Sequence, residues 1–545
     1  MNTYTAKTPI PENEIGGGES LSMAPYTGPW TKAQAAHLLR RTVFGPSKQQ
    51  IEDAVANGMN ATVDTLLTLP AETLPVTYSP DEAVSSIGNT WINDYMPATN
   101  QQPTITARIL SLFGWINQEL FNPTLSIKEK MTLFWQNHFA ATNDNEPRMA
   151  YDYVMLLRNS CLGNFRQLVK DMTINPQMLV FLNGTTNNKF SPNENYAREL
   201  LELYTIGKGP QIADGDYTNY TEHDIAEIAK IMTGWIVENY LAESGSLVTS
   251  NFYDILHDPT TKQLSEKFND AVIQDAGDAE YAQLIDIIFQ QDEVARHICR
   301  KLYRWFVNYD LTPIVNSTII EEMADVLIAN DYEIEPVMDM LLRSEHFYDI
   351  ALRGTIIKNP IEYATSMYKS TKSEMSYGVV STYEIYNIFG FLTGDIGMSY
   401  FAPPQVAGWT AYYQQPGFSQ MWINAAMIKK RVEYSWFALY NGVEATNGDK
   451  YPIDVLGLLN SFDFPADDIE VIRELEVLFC CKPLSAAQRT FLANTLNANF
   501  GSAVWAGAYN NYIADPSDQQ NADIVANQMR VTLLNLFKMP EFHII

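Results

Sequence analysis

The stretch SPNENYARELLELYTIG, Ser191 to Gly207, sets apolar residues three and four apart and brackets them with a start and a stop. On a helix turning about 100° per residue, Tyr196, Ala197, Leu200, Leu201, Leu203 and Tyr204 fall on one side. Glu194, Asn195, Arg198, Glu199 and Glu202 fall on the other. Ser191 with Glu194 three residues on reads as a capping pair. Pro192 suits the first helical position, where a missing N–H costs nothing, and Gly207 suits the end. The same grammar recurs in Ser126-x-x-Glu129, Thr221-x-x-Asp224 and the stop at Gly234. Alternating patterns are scarce; Val76-Thr77-Tyr78 and Leu247-Val248-Thr249 suffice for a small hairpin. The expected fold is mainly α, a large multi-helix globular domain with long irregular loops at 70–105, 208–220, 236–275 and 395–420.

The chain has 545 residues and is 46% hydrophobic, enough for a large core. Its formal net charge of −28 disfavours phosphate backbones and anionic membrane surfaces, so nucleic acid is not an expected partner. No apolar run approaches the roughly 20 residues of a membrane span. The stretch Met1 to Tyr26 is polar and lacks a signal-peptide apolar segment, so a cytoplasmic location is expected, with export alongside a partner as the alternative. Arg40-Arg41 is followed by Thr42-Val43-Phe44-Gly45-Pro46 rather than by the apolar stretch a twin-arginine signal needs. Cys161, Cys299 and the adjacent Cys480-Cys481 have no metal or disulfide spacing and read as buried thiols.

Three units are expected: a flexible lead-in over 1–28, a main helical domain over 29–435, and a helical subdomain over 436–545. The last rests on an echo between Met338–Phe347 and Val531–Phe542, each an apolar helix end closed by an acidic-aromatic stop. Two copies do not make a repeat array, but they suggest that the C-terminal stretch docks on the main body.

Chemistry-bearing residues are few. Glu194, Arg198 and Glu202 step four apart along one line, beside Asn195 and Glu199. This ridge reads either as a preorganised site for a cation or polar substrate or as a solvated helix face. His138 continues the buried stripe of Ile127, Met131, Phe134 and Trp135, as a core histidine or as a ligand on a rigid element. His257-Asp258 stands in a polar loop, where imidazole and carboxylate orient a base or hold a metal, or simply form a turn before Pro259. Asp214 to Glu222 is rich in oxygen donors, yet Asn219 and Ile225 stand where an EF-hand needs glycine and a bidentate acid. Walker, HExxH, GxSxG and Rossmann signatures are missing.

Several ordered motifs carry a resemblance. They are His37-Leu38-Leu39-Arg40-Arg41-Thr42-Val43-Phe44-Gly45, Phe134-Trp135-Gln136-Asn137-His138-Phe139, Asn175-Pro176-Gln177, Pro192-Asn193-Glu194-Asn195-Tyr196-Ala197-Arg198-Glu199-Leu200 and Tyr220-Thr221-Glu222-His223-Asp224. Thr233-Gly234-Trp235, His257-Asp258 with Lys262, Lys301-Leu302-Tyr303, Lys358-Asn359-Pro360-Ile361-Glu362 and Pro403-Pro404-Gln405-Val406-Ala407-Gly408-Trp409 follow. Together they resemble the bacterial domain-of-unknown-function family 1800 from about residue 30 to 545. The resemblance brings no activity with it. It does imply that the ridge, His138 and His257-Asp258 belong to one motif set. It also implies a partner, since members are often encoded beside family 1501 proteins, which resemble sulfatases and alkaline phosphatases. The stretch Lys208 to Asn219 departs from the pattern.

Two functional readings follow. In the first, His138, Glu199, Glu202, His257 and Asp258 gather about a divalent cation or a bound water, with Arg198 fixing an anionic group. Glu199, Glu202, His138 and His257 would be the metal ligands of a hydrolase-like site. In the second, the same residues form a buried structural network, and the protein is a non-enzymatic accessory to a sulfatase-like partner. Tyr412-Tyr413, Phe418 and Trp422 are then the candidate interface aromatics. The cofactor is left open, with a divalent cation as the candidate.

Overall fold

The computed structural model describes residues 20–142, 146–501 and 503–545. Helices dominate from Lys32 to His543. Their starts are set by side-chain caps. At Glu222–Ile231, Thr221 Oγ1 accepts from Asp224 N, and Asp224 Oδ2 accepts from Thr221 N at 2.8 Å. Ser47 with Gln50, Asn359 with Glu362 and Ser485 with Gln488 repeat the reciprocal pair. Two expected starts move. Asn193, as good a cap as serine, accepts from Asn195 N, so that helix begins at Glu194, after Pro192. The hydroxyl of Ser126 donates to Thr68 O at the end of the Met59–Leu67 helix, and the next helix begins at Lys128 without a side-chain cap.

Strands are confined, among the described residues, to four two-stranded antiparallel pairs. Thr249–Phe252 pairs with Trp235–Glu238, realising the small hairpin at the second expected place; Val76–Tyr78 forms no strand.

One continuous apolar cluster runs from Met23 to Phe542. The helices Gln101–Leu120 and Val379–Asp395 cross closely because each carries a glycine at the contact. A Cβ on Gly390 would lie 2.5 Å from the Phe113 ring, and one on Gly114 3.0 Å from Tyr383. Asp292–Phe306 buries Val294, Ala295, Ile298, Cys299, Leu302 and Phe306, the three-and-four spacing of a helix lying on a core. Gln519–Phe537 is the hub of the C-terminal helices and packs on Ala486–Leu496, Ala503–Ala514 and Ala425–Tyr440. The last of these runs through position 435, so the main body passes into the C-terminal part along a helix. The chain end is tied to the 356–358 segment: Lys358 N donates to His543 O, and Ile545 N to Ile356 O, both at 2.8 Å.

The lead-in is held in place from Ser20 onward. Tyr26 N donates to Arg343 O, Glu345 N to Ala24 O and His346 N to Ser22 O, at 2.7–3.0 Å. Its first nineteen residues lie outside the described set. All four cysteines are unbridged and buried. Among the described residues, no helix is long and apolar enough to cross a membrane.

The core also holds charge. Arg158, at the end of Pro147–Asn159, reaches Glu72 at 2.9 Å, Glu129 at 2.7 Å and Glu119 at 3.4 Å. Its guanidinium lies 5.0 Å from the centre of the Trp115 ring.

Candidate functional site

The ridge helix changes pitch partway. Glu194–Glu199 is α-helical, and Leu200–Tyr204 is a π turn closed by Thr205 Oγ1 donating to Leu200 O at 2.6 Å. A π turn holds more residues than an α turn, so Glu202 leaves the line of Glu194 and Arg198. Arg198 therefore pairs elsewhere. Its two terminal nitrogens fork onto Glu222 at 2.8 and 2.7 Å, and one also reaches Glu194 at 3.2 Å. Glu202 accepts from the Tyr220 hydroxyl at 3.2 Å and lies 3.6 Å from Lys208. Arg198 holds the Glu222 carboxyl below its usual range, while burial and the neighbouring Glu202 raise that of Glu199.

His138 ends the Lys128–His138 helix and lies beneath the π turn. Nε2 donates to Tyr204 O at 3.1 Å, which leaves Nδ1 to accept from Lys301 Nζ, also at 3.1 Å. Lys301 donates further to Leu203 O at 2.7 Å. A helix end leaves carbonyls without intrahelical donors, and His138 and Lys301 supply them. Phe139, Trp135 and Phe165 surround the imidazole, with centroids at 4.4, 5.5 and 5.8 Å. Gly207, at φ +74°, brings the chain against His297; a Cβ there would lie 2.6 Å from Nδ1. Burial, then the charge of Lys301, pushes His138 well below its ordinary value. Burial, then Arg304, pushes Lys301 down to about 7.

His257 belongs to a different set. Nδ1 donates to Thr233 O at 3.0 Å, and Nε2 meets Glu280 Oε1 at 2.9 Å. Lys262 Nζ donates to Glu280 Oε2 at 2.7 Å and to Asp258 O, and lies 3.4 Å from His257 Nε2. All three side chains are essentially inaccessible. Burial opposes the charged imidazole, but the Glu280 bond prevails and raises it. Asp258 points to Thr260, accepting from its N–H at 2.8 Å and from its hydroxyl. Those bonds outweigh burial and hold the Asp258 carboxyl below its usual range. Asp275 stands at the rim, and its ligand atom and those of His257 and Glu280 all lie within 4.8 Å of one another. The Lys262 ammonium already bridges two of these three, in the place a cation would take.

The structure thus joins Glu194 to Arg198, sets Glu199 beside Glu202 and puts His138 under the same turn. His257 and Asp258 stand apart. Glu222 opens the ten-residue helix Glu222–Ile231, and Thr233 follows its end. Arg198 thus pairs at the start of that helix, while His257 is held by Thr233 beyond its end. Four ligands for one ion are not assembled from Glu199, Glu202, His138 and His257. Among the described residues the one carboxylate–imidazole group of metal-binding spacing uses His257 with Glu280 and Asp275 instead.

The pH dependence follows from the buried imidazoles. His37, His138, His297 and His543 are all lowered, chiefly by burial, relative to an ordinary value of 6.5. A group whose folded value is depressed stabilises above the unfolded value and loses that contribution as pH falls. His257, raised instead, contributes below 6.5 and loses it as pH rises past its folded value. Four depressed histidines, set against His257 and against Asp152, whose carboxyl burial raises to about 6, predict a falling melting temperature between pH 7 and pH 5. His138→Gln is expected to flatten that slope, as differential scanning calorimetry at several pH values would register.

Two sizeable openings lie elsewhere. One cleft of about 550 Å³ and a second of about 560 Å³ flank the turn at residues 370–375. They share Gln49, Lys372, Ser373, Glu374 and Tyr451. The first is polar, with Lys48, Glu52 and Asp454; the second has aromatic walls from Phe121, Tyr368 and Tyr386. Lys372 sits at φ +51°, a left-handed backbone uncommon for a side chain of its kind. The buried hydroxyl of Tyr368 has no hydrogen-bond partner among the described residues. None of these residues belongs to a catalytic pattern, so sequence reasoning passed over them. The available signal was the polar run Lys369-Ser370-Thr371-Lys372-Ser373-Glu374 between two helices.

A family model described as "Protein of unknown function (DUF1800)" matches residues 37–544. No curated protein and no solved structure matches the chain.

Proposed function

We propose that this chain, which belongs to the DUF1800 family, is a binding protein that takes a small polar ligand into the twin cleft around Lys372. The observation that carries this reading is the pair of connected openings, each within the range of about 300–1,000 Å³ usual for small-molecule sites. They lie where the 450–461 segment meets the Lys48–Asn57 helix and the 370–375 turn, and a junction of packed units is a common place for a ligand. Charges of both signs and a buried unpaired hydroxyl suit a ligand with several hydrogen-bonding groups, such as a sugar, an amino acid or a short peptide. A strained Lys372 at the shared wall is consistent with a backbone held for binding.

A thermal-shift screen of such compounds tests the reading. Gln49 is an exposed helix position lining both openings. Gln49→Trp is expected to keep the native melting temperature and to abolish the shift of any authentic ligand. A screen without a stabilising compound, or a shift that survives Gln49→Trp, contradicts the proposal. A binding protein of this kind fits an accessory role beside a sulfatase-like enzyme of family 1501, and co-purification of the two tests that partnership.

The second reading is a metal-dependent hydrolase-like site, favoured by the spacing of His257, Asp275 and Glu280. It requires Lys262 to leave its place between Glu280 and His257. Near-stoichiometric divalent metal in the purified protein, lost in Glu280→Gln, would support it.

A further inference from the structure

A second, much smaller cavity of about 20 Å³ lies between the turn at Val43–Pro46, the helix Pro360–Ser370 and the chain end. Gly45, at φ +114°, allows this close approach, because a Cβ there would lie 2.6 Å from the Ser366 backbone. Arg40, Lys358, Ser366 and Ser370 line the cavity, and Glu362 is the one acidic side chain on its wall. Glu362 is already engaged: one oxygen accepts from Lys130 Nζ and the other from Asn359 N at 3.0 Å.

Arg40 and Lys358 are only 8% and 4% exposed. Arg40 donates to a single carbonyl, Val477 O. The ammonium of Lys358 has no hydrogen-bond acceptor among the described residues; it faces the Phe542 ring, 3.9 Å from its centre. The surroundings add positive charge. Arg431 donates to the Lys358 carbonyl at 2.7 Å, and Nε of both Arg41 and Arg431 is buried without a partner. The neighbouring thiols do not supply an anion, since burial pushes Cys480 up to about 12 and Cys481 upward as well. Burying a cation without a paired counter-charge is unfavourable, and the arginine cannot shed its proton.

We propose that this cavity binds one small monovalent anion of halide size, chloride in ordinary solution, between Arg40 and Lys358. The volume admits one occupant about as large as a water molecule and excludes sulfate and phosphate. Burial, then Arg40, pushes Lys358 down to about 7, and an anion in the cavity keeps it charged. The ion would tie the first family motif, at Arg40, to the Lys358–Glu362 motif and so to the docked chain end. This proposal is independent of the ligand assigned to the twin cleft.

The test is a thermal melt of the full chain in sodium gluconate, titrated with sodium chloride at constant ionic strength. A saturable rise of about 2–4 °C is expected. Sodium bromide should reproduce it and sodium sulfate should not. Lys358→Met, which keeps the volume and removes the charge, should abolish the response. A bromide-grown crystal should show an anomalous peak between Arg40 and Lys358, and this decides the matter if Lys358→Met does not fold. Identical melts in chloride and gluconate, a response that persists in Lys358→Met, or a cavity holding only water would each overturn the proposal.

Discussion

Lys262→Met is expected to cost about 3–5 kcal/mol of stability, because it removes one partner from a buried charged set. Lys262 and Glu280 are both inaccessible, and the ammonium donates to Glu280 at 2.7 Å. Methionine fills much the same volume, so the loss is electrostatic rather than a cavity. Glu280 would keep His257 and the Ala276 N–H, at 2.9 and 3.1 Å, but would lose the Lys262 ammonium. Chemical denaturation at pH 7 gives the size, as the fall in midpoint of the transition that includes Trp235 fluorescence. The same variant separates the two readings of His257. If lysine is the resident cation, Lys262→Met is destabilised and divalent ions do not restore it. A variant that gains stoichiometric metal and recovers its midpoint would mark the hydrolase-like site as real.

Arg158→Met is the second large effect, about 3–5 kcal/mol or more at pH 7. Glu72, Glu119 and Glu129 converge on this one guanidinium, so its removal leaves Glu119 and Glu129 without their cation and Glu72 with Lys128 alone. Burial already raises Glu129 above its ordinary 4.5, with Arg158 acting against it. Without Arg158 the Glu129 carboxyl rises further, and the native state binds a proton that the unfolded chain does not. Acidification therefore relieves part of the variant's loss, and its stability falls less than that of the wild type as pH drops from 7 toward 5. The gap between the two proteins should be widest at pH 7 and visibly narrower at pH 5. A gap independent of pH would show that lost packing against Trp115, rather than the carboxylates, sets the cost.

The helical class was legible because spacing and caps are local properties. Thr221 and Asp224 form their capping box as read, and Gly207 and Gly234 both adopt positive φ. Boundaries moved where a stronger local competitor stood nearby, as when Asn193 took the cap from Ser191. The ridge was legible in composition but not in partners. Arg198 found Glu222, which lies 24 residues on, because the π turn carried Glu202 out of reach; no single-helix projection contains that shift. His138 was correctly placed on a buried stripe, yet its bonds to Tyr204 O and Lys301 depend on two other segments. The twin cleft was legible only as the polar run from Lys369 to Glu374, without its other walls. Gln49, Phe121, Lys372 and Tyr451 come from distant parts of the chain and meet only through packing. The acid excess of the sequence is likewise reread: Glu72, Glu119, Glu280 and Glu362 are committed to buried or half-buried pairs.

The most direct measurement compares a ligand hit across two variants, Gln49→Trp in the cleft and Arg198→Gln on the ridge, by isothermal titration calorimetry. Both changes are at accessible or partly accessible side chains and should leave the fold intact. The account predicts that binding is lost in Gln49→Trp and retained in Arg198→Gln. Binding that survives Gln49→Trp but disappears in Arg198→Gln would contradict it and return the function to the ridge.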